Sequence, residues 1–232
     1  MLRKLWNRLE RWEDSYRAKF THDITDPEER KKSQFYADWV DHGILRYKWH
    51  NFERVAPLLW RSNHPNDDRF RAYAELGITT VLNLRGKTDK AFYHFEVESC
   101  AALGLRLIDL PMAARRAPTR ERFLELIDLF DTLDTPTLIH CKSGADRTGL
   151  AAAVYLLHVM KAPLEEARKQ LSFRFLHIKL TKTGTLDYIL HCYGERLAKG
   201  PIPFREWVET EYDGAAMQAA FDKTTIRERM RF

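Results

Sequence analysis

No stretch of this 232-residue sequence stays apolar for the ~20 residues that a membrane-spanning helix needs. The longest apolar run, Gly149 to Val159, is interrupted by His158 and followed by Lys161. Cysteine is scarce. Cys100, Cys141 and Cys192 are odd in number and widely spaced, and no signal-peptide pattern precedes them. That excludes a disulfide framework and leads us to expect a reducing, cytoplasmic setting. Neither a Cys-x-x-Cys nor a His-Glu-x-x-His pair is present, and the nine histidines are scattered, so neither a metal nor a cofactor is expected. A nucleotide-binding P-loop is excluded because no Gly-Lys-Ser/Thr follows the required glycine spacing, and no motif that reads RNA or DNA occurs. Internal repeats and low-complexity tracts are also missing.

What is present is an ordinary globular composition, 44% hydrophobic and 31% charged, with a net charge of +5 and a pI near 9.1. With nucleic acid set aside, a basic balance points to a small anionic substrate or an anionic membrane face. Residues 1–20 place Leu2, Leu5, Trp6, Leu9, Trp12, Tyr16 and Phe20 on one helical face, with six cations against three acids on the other. Two readings stay open for this segment. It packs on the rest of the chain or on a second subunit, or it lies on a membrane surface as a basic amphipathic helix.

From Val55 onward, strands alternate with helices. A strand pair surrounds Pro57, and helices are expected from Asn66 to Leu76, Ala91 to Leu103, Thr119 to Leu133 and Gly149 to Met160. Strands fall at Ile78–Leu84, Leu105–Leu110 and Thr137–His140, and further helices at Leu164–Leu171, Leu186–Leu197 and Phe204–Tyr212. The fold class is α/β: a central, mostly parallel sheet with helices on both faces. Ligands of such sheets bind where the strands end and the chain turns into a helix. The expected organisation is an N-terminal helical extension over residues 1–50, a central domain over 51–199 and a C-terminal helical extension over 200–232.

One strand-to-helix junction carries unusual chemistry: His140-Cys141-Lys142-Ser143-Gly144-Ala145-Asp146-Arg147-Thr148-Gly149. A tetrahedral dianion needs many donors, and a tight loop aims successive backbone N–H groups at one point, with Gly144 permitting the turn. The helix behind adds positive potential at its N-terminus. Arg147 offers a planar fork that matches two phosphate oxygens. The same field lowers a thiol pKa, so Cys141 would be an ionised nucleophile able to form a cysteinyl-phosphate that water then releases. The Thr148 hydroxyl can hydrogen-bond the sulfur and ease its departure.

His-Cys, five residues, then Arg-Thr-Gly resembles the signature of the protein tyrosine phosphatase superfamily. Leu59-Trp-Arg-Ser-Asn-His-Pro65 and Thr80-Val-Leu-Asn-Leu-Arg-Gly86 are similar to the opening of its compact dual-specificity and bacterial members. The resemblance implies catalysis by Cys141 and Arg147, and substrate binding by Lys142, Ser143, Gly144, Ala145 and Thr148. It also implies a general acid, usually an aspartate on a loop upstream of the cysteine. Here that loop, Pro111 to Pro118, holds no carboxylate. Asp109 fits by position but falls within a strand. Asp146, next to Arg147, resembles the Asp-Arg pair of myotubularin-type lipid phosphatases and of one bacterial branch, where the loop aspartate is thought to be the acid. Both candidates stay open, with Asp146 preferred.

The activity so implied is metal-independent hydrolysis of phosphate monoesters on phosphorylated proteins. The alternatives are a phosphoinositide or other lipid head group treated by the same chemistry, and an inactive phosphate-binding module. Lys142, with Arg115 and Arg116 upstream and Arg174, His177, Lys179 and Lys182 downstream, would enlarge an anionic pocket.

Overall fold

The computed structural model describes residues 22–232, so the amphipathic pattern of residues 1–20 lies outside the described residues. The described chain opens with helix α1, Pro27–Phe35, capped by the Asp26 carboxylate. One wide turn at Tyr36–Val40 and a short helix, α2, Gly43–Arg46, complete this segment. Strands β1, Glu53–Ala56, and β2, Leu59–Asn63, form an antiparallel hairpin around Pro57. Helix α3, Asp67–Glu75, starts where Asn66 accepts a bond from the Arg69 amide. It stops at Gly77, whose φ of +87° is the left-handed region that favours glycine.

The parallel part of the fold follows. Strand β3, Thr80–Asn83, helix α4, Ala91–Ala102, strand β4, Arg106–Asp109, helix α5, Arg120–Asp131, and strand β5, Thr137–Cys141, alternate as expected. The sheet order is β1-β2-β5-β3-β4, with every pair parallel except the β1–β2 hairpin. β5 therefore runs through the middle and is buried along its whole length.

Side chains of the central strands alternate between two cores, as a pleated strand requires. Leu82 and Ile139 face a large cluster with Phe123, Leu126, Leu150 and Val154. Val81 and Leu138 face a smaller one with Phe70, Tyr73, Ile78 and Cys100. The N-terminal segment covers a third cluster, where Tyr36 and Ala37 meet Ala91, Phe92 and Tyr93.

Helix α6, Asp146–His158, fills the large core from end to end. It begins three residues earlier than the periodicity predicts, because Ala145 supplies no side-chain cap and the sequence carries no start signal there. Its first-turn N–H groups thus stay directed toward the loop rather than being spent on a cap. Helices α7, Leu164–Arg168, α8, Thr185–Leu197, and α9, Phe204–Thr210, close the rest of that face. Two further helices were not anticipated: α10, Gly214–Asp222, capped by Asp213, and α11, Ile226–Arg229, opened by a Thr225/Glu228 capping box. The box was readable in the sequence; the weakly amphipathic Ala-rich stretch before it was not. No helix among the described residues is long and apolar enough to cross a membrane.

The C-terminal residues belong to the large core. Phe204, Trp207, Val208 and Tyr212 are buried in it, and the Tyr212 hydroxyl donates to the Pro118 carbonyl at 2.7 Å. Trp207 lies against Tyr193, Phe204 and Tyr212. Replacing a buried aromatic of this size by alanine costs about 3–5 kcal/mol. Trp207→Ala should lower the stability read by urea denaturation by that amount; an unchanged midpoint would show that α9 is not part of the core.

Candidate active site

The site is assembled at the carboxyl end of β5. Cys141 ends the strand with its side chain 1% exposed, and the chain turns back through residues 142–145 into α6. Gly144 makes the turn at φ +70°. A Cβ there would also come within 2.6 Å of the Asn63 amide nitrogen and 2.7 Å of the Ser62 carbonyl, so glycine is required twice over. The loop is tied to β2 by the His64 amide, which donates to the Lys142 carbonyl at 3.3 Å.

Arg61 of β2 holds the loop from behind and is fully buried. Its guanidinium donates to the carbonyl and side-chain oxygens of Gln170 at 2.9 and 2.6 Å and to the Gly144 carbonyl at 2.6 Å. The Phe175 ring stacks on it at 3.5 Å. These partners are neutral oxygens, so the positive charge stays uncompensated by any carboxylate in that set. Burial lowers the Arg61 pKa to about 10, and the Cys141 sulfur opposes that fall. From the N-terminal side, Asn51 donates its side-chain amide to the carbonyls of Ser143 and Phe175, both at 2.9 Å.

The field at the sulfur is positive. Burial alone would raise the Cys141 pKa, but Arg147, the Thr148 hydroxyl and the amides of Thr148 and Gly144 outweigh it, and the net shift is downward. Arg147 lies in the first turn of α6; its guanidinium reaches the Leu84 carbonyl at 3.4 Å, and its Nε has no partner among the described residues. Cys100 sits in the opposite environment, where burial pushes its thiol up to about 12.

Lys142 is paired with Asp41, at 3.1 Å, in the N-terminal segment. The same carboxylate takes two bonds from Arg85, at 2.9 and 3.0 Å, and one from Arg46 at 2.9 Å. Burial would raise its pKa, but three cations hold it down at about 2. One anion thus serves Lys142, Arg85 and Arg46 beside the loop.

The two candidate acids are placed differently. Asp109, at the end of β4, has both oxygens engaged, accepting from the Asn83 amide at 2.9 Å and from the Tyr93 hydroxyl at 2.6 Å. Asp146 opens α6 and meets only one partner in the wall, the Nδ1 of His177 at 2.7 Å. Nε2 of the same ring meets Asp187 at 2.6 Å. Burial works against a charged His177, yet the two carboxylates raise its pKa to about 9.

The remaining charges proposed from the sequence are dispersed. Arg115 and Arg116 are exposed, Arg174 pairs with Glu53, and Lys179 binds the carbonyls of Met230 and Phe232. Arg61, Asp41, Asn51 and Asp187 were missed. Arg61 had a signal, a lone cation inside an otherwise buried strand, whereas Asp41 and Asn51 lie some 90 to 100 residues away in the chain and carry no local mark. One buried cluster, His64, Glu96 and His140, has ligand-type atoms within 4.8 Å of one another. Within it, His140 Nε2 and the Glu96 carboxylate are 2.6 Å apart, a direct hydrogen bond. That contact ties the end of β5 to α4.

Residues 57–161 match the model of the Tc-R-P family, described as a polymorphic toxin system DSP-PTPase phosphatase. Over 143 residues the chain is 31% identical to the dual specificity protein phosphatase TpbA of Pseudomonas aeruginosa strain UCBPP-PA14. The matched segment is similar to phosphatases of the protein tyrosine phosphatase superfamily. The TpbA match covers 60% of this chain and 60% of that protein, so the chain spans well under two thirds of the curated relative's length. Among solved structures, the phosphatase core of PP-IP phosphatase SIW14 from S. cerevisiae shares the fold with a TM-score of 0.51 at 18% identity. It covers 65% of this chain and 92% of that one. P. aeruginosa TpbA itself gives a TM-score of 0.49 at 25% identity, over 64% of this chain and 90% of that one. Residues 22–50, which supply Asp41, precede the matched segment.

A thiol with a lowered pKa reacts with alkylating agents near neutral pH, where ordinary thiols do not. Iodoacetamide should therefore modify Cys141 ahead of Cys100 and Cys192 in a peptide map, with tungstate protecting it. Equal labelling of the three would contradict the electrostatic description.

Proposed function

We propose that the chain is a metal-independent phosphate-monoester hydrolase of the protein tyrosine or dual-specificity type, working through a cysteinyl-phosphate. One observation carries this reading: the buried Cys141 sulfur sits among amide N–H groups, the Thr148 hydroxyl and the Arg147 guanidinium, and its pKa is lowered by them. The resemblance of the domain to TpbA, a dual specificity protein phosphatase, supports a phosphorylated protein as substrate.

The residues divide the work as follows. Amides of the loop and the Arg147 fork hold the three non-bridging oxygens and stabilise the charge that builds on them. Cys141 attacks phosphorus in line with the leaving oxygen. Asp146 protonates that oxygen, since the upstream loop offers no carboxylate and Asp109 is bound into the wall on both sides. Water then attacks phosphorus, the S–P bond breaks, and Thr148 stabilises the departing thiolate. Every charge this sequence needs comes from side chains and backbone, so no metal is invoked.

A second reading keeps the chemistry and changes the substrate to an inositol phosphate or lipid head group. It is favoured by Lys142, Arg85 and Arg46, which share the single carboxylate of Asp41 and leave that flank of the loop net positive. Turnover of phosphotyrosyl peptides and of soluble inositol phosphates, compared on one preparation, decides between the two.

Cys141→Ser should reduce hydrolysis of an aryl phosphate to background while retaining tungstate binding, and a chelator should leave the wild type unaffected. Asp146→Asn should lower turnover of phenyl phosphate by roughly 10²–10⁴-fold, the range of general acid catalysis. Full activity in Cys141→Ser would refute the nucleophile, and full activity in Asp146→Asn would refute the acid.

A further inference from the structure

The Asp146 side chain is 21% exposed and does not stand alone. What distinguishes it is the partner behind it. His177 is 3% exposed, lies on the loop after α7, and is the residue among the downstream cations named from the sequence that reaches the cysteine loop. Both ring nitrogens are committed, Nδ1 to Asp146 at 2.7 Å and Nε2 to Asp187 at 2.6 Å. Two carboxylate acceptors require both nitrogens to be donors, which is the imidazolium form.

We propose that Asp146, His177 and Asp187 form a proton relay in which His177 supplies, through Asp146, the proton that neutralises the leaving oxygen. The inference rests on the phosphatase reading above and adds two positioning residues to it. As the S–P bond forms and the P–O bond breaks, the Nδ1 proton passes to the Asp146 carboxylate, and the carboxyl group delivers it to the leaving oxygen. The imidazole, now neutral, keeps its Nε2 proton on Asp187, which holds the ring and its tautomer. In the second step water attacks phosphorus and the S–P bond breaks. The water's proton passes to Asp146 and then to Nδ1, and the starting state returns with protons balanced.

The surroundings fit this traffic. The groups that face the ring are Asp146 from α6 and Asp187 from α8. A cavity of about 650 Å³ has His177 and Asp187 in its lining, together with Glu165, Arg168 and Lys169 from the α7 region and Lys179 from the loop after it. Solvent can therefore equilibrate protons with the far end of the relay. With the imidazolium stable up to about 9, the relay is loaded across neutral pH and empties above that value.

The test is a leaving-group series on the full chain: phenyl phosphate, which needs a proton on its phenol, against 2,4-dinitrophenyl phosphate, which does not. His177→Gln and Asp187→Asn should each slow phenyl phosphate roughly tenfold or more and dinitrophenyl phosphate by less than about threefold, since acid assistance matters only for the poor leaving group. In the wild type the alkaline limb of kcat should lie near 9, and in His177→Gln it should move to lower pH. Equal slowing of both esters, or an unmoved limb, would overturn the relay and reduce His177 to a structural residue. Where His177→Gln fails to fold, as judged by its melting curve, Asp187→Asn supplies the same comparison. Cys141→Ser separates the two levels: if it is inactive while His177→Gln keeps the wild-type leaving-group dependence, only the relay falls. If it is fully active, the phosphatase reading falls first.

Discussion

The end of β5 presents a problem that the rest of the architecture answers: a thiol whose pKa is lowered where water scarcely reaches. Burying an anion is costly unless charge and donors surround it. Here they come from four parts of the chain. α6 supplies its uncapped first turn, Arg147 and Thr148; β2 supplies Arg61 behind the loop; the Gly144 turn supplies amides; the parallel sheet fixes where all of them meet. Arg61 differs from an ordinary buried cation because its bonds go to neutral oxygens of Gln170 and the loop. It gives the sulfur a positive neighbour whose own hydrogen bonds go to neutral oxygens.

The same requirement explains what could be read from the sequence. The strand–loop–helix junction was legible because it is local: ten consecutive residues carry the strand end, the Gly144 turn and the first turn of α6. The alternation of strands with helices was legible for the same reason, since caps such as Asn66 and Thr119 and stops such as Gly77 act within a few residues. The start of α6 was misplaced because its N–H groups are reserved for the loop, and a helix that needs no cap leaves no cap in the sequence. Asp41, Asn51 and Asp187 were invisible because their roles depend on contacts across 31 to 124 residues or on one intermediary ring, and nothing in their neighbours marks them.

Residues 22–50 take on a different character in the folded chain. By composition they read as an appendage. In three dimensions they insert Asp41 among Arg46, Arg85 and Lys142, and they end in Asn51, which clasps the cysteine loop to Phe175. The wide helical turn at Tyr36–Val40 and the left-handed His42 that follows bring Asp41 to its place. Irregular turns of this kind within helices often accompany functional sites. The anion on the loop's flank thus comes from a segment outside residues 57–161, which match the family model.

The loop is clamped by Asn51 from one side, Arg61 from behind and the His64 amide, just past β2, from below. A receptor shaped in advance loses little further freedom when its ligand arrives, because the ordering was completed when the chain folded. Under the proposed phosphatase reading, selectivity among esters would not arise from the cup adapting its shape. It would then come from how each guest's remainder meets the fixed rim, which on one flank carries the Asp41 cluster.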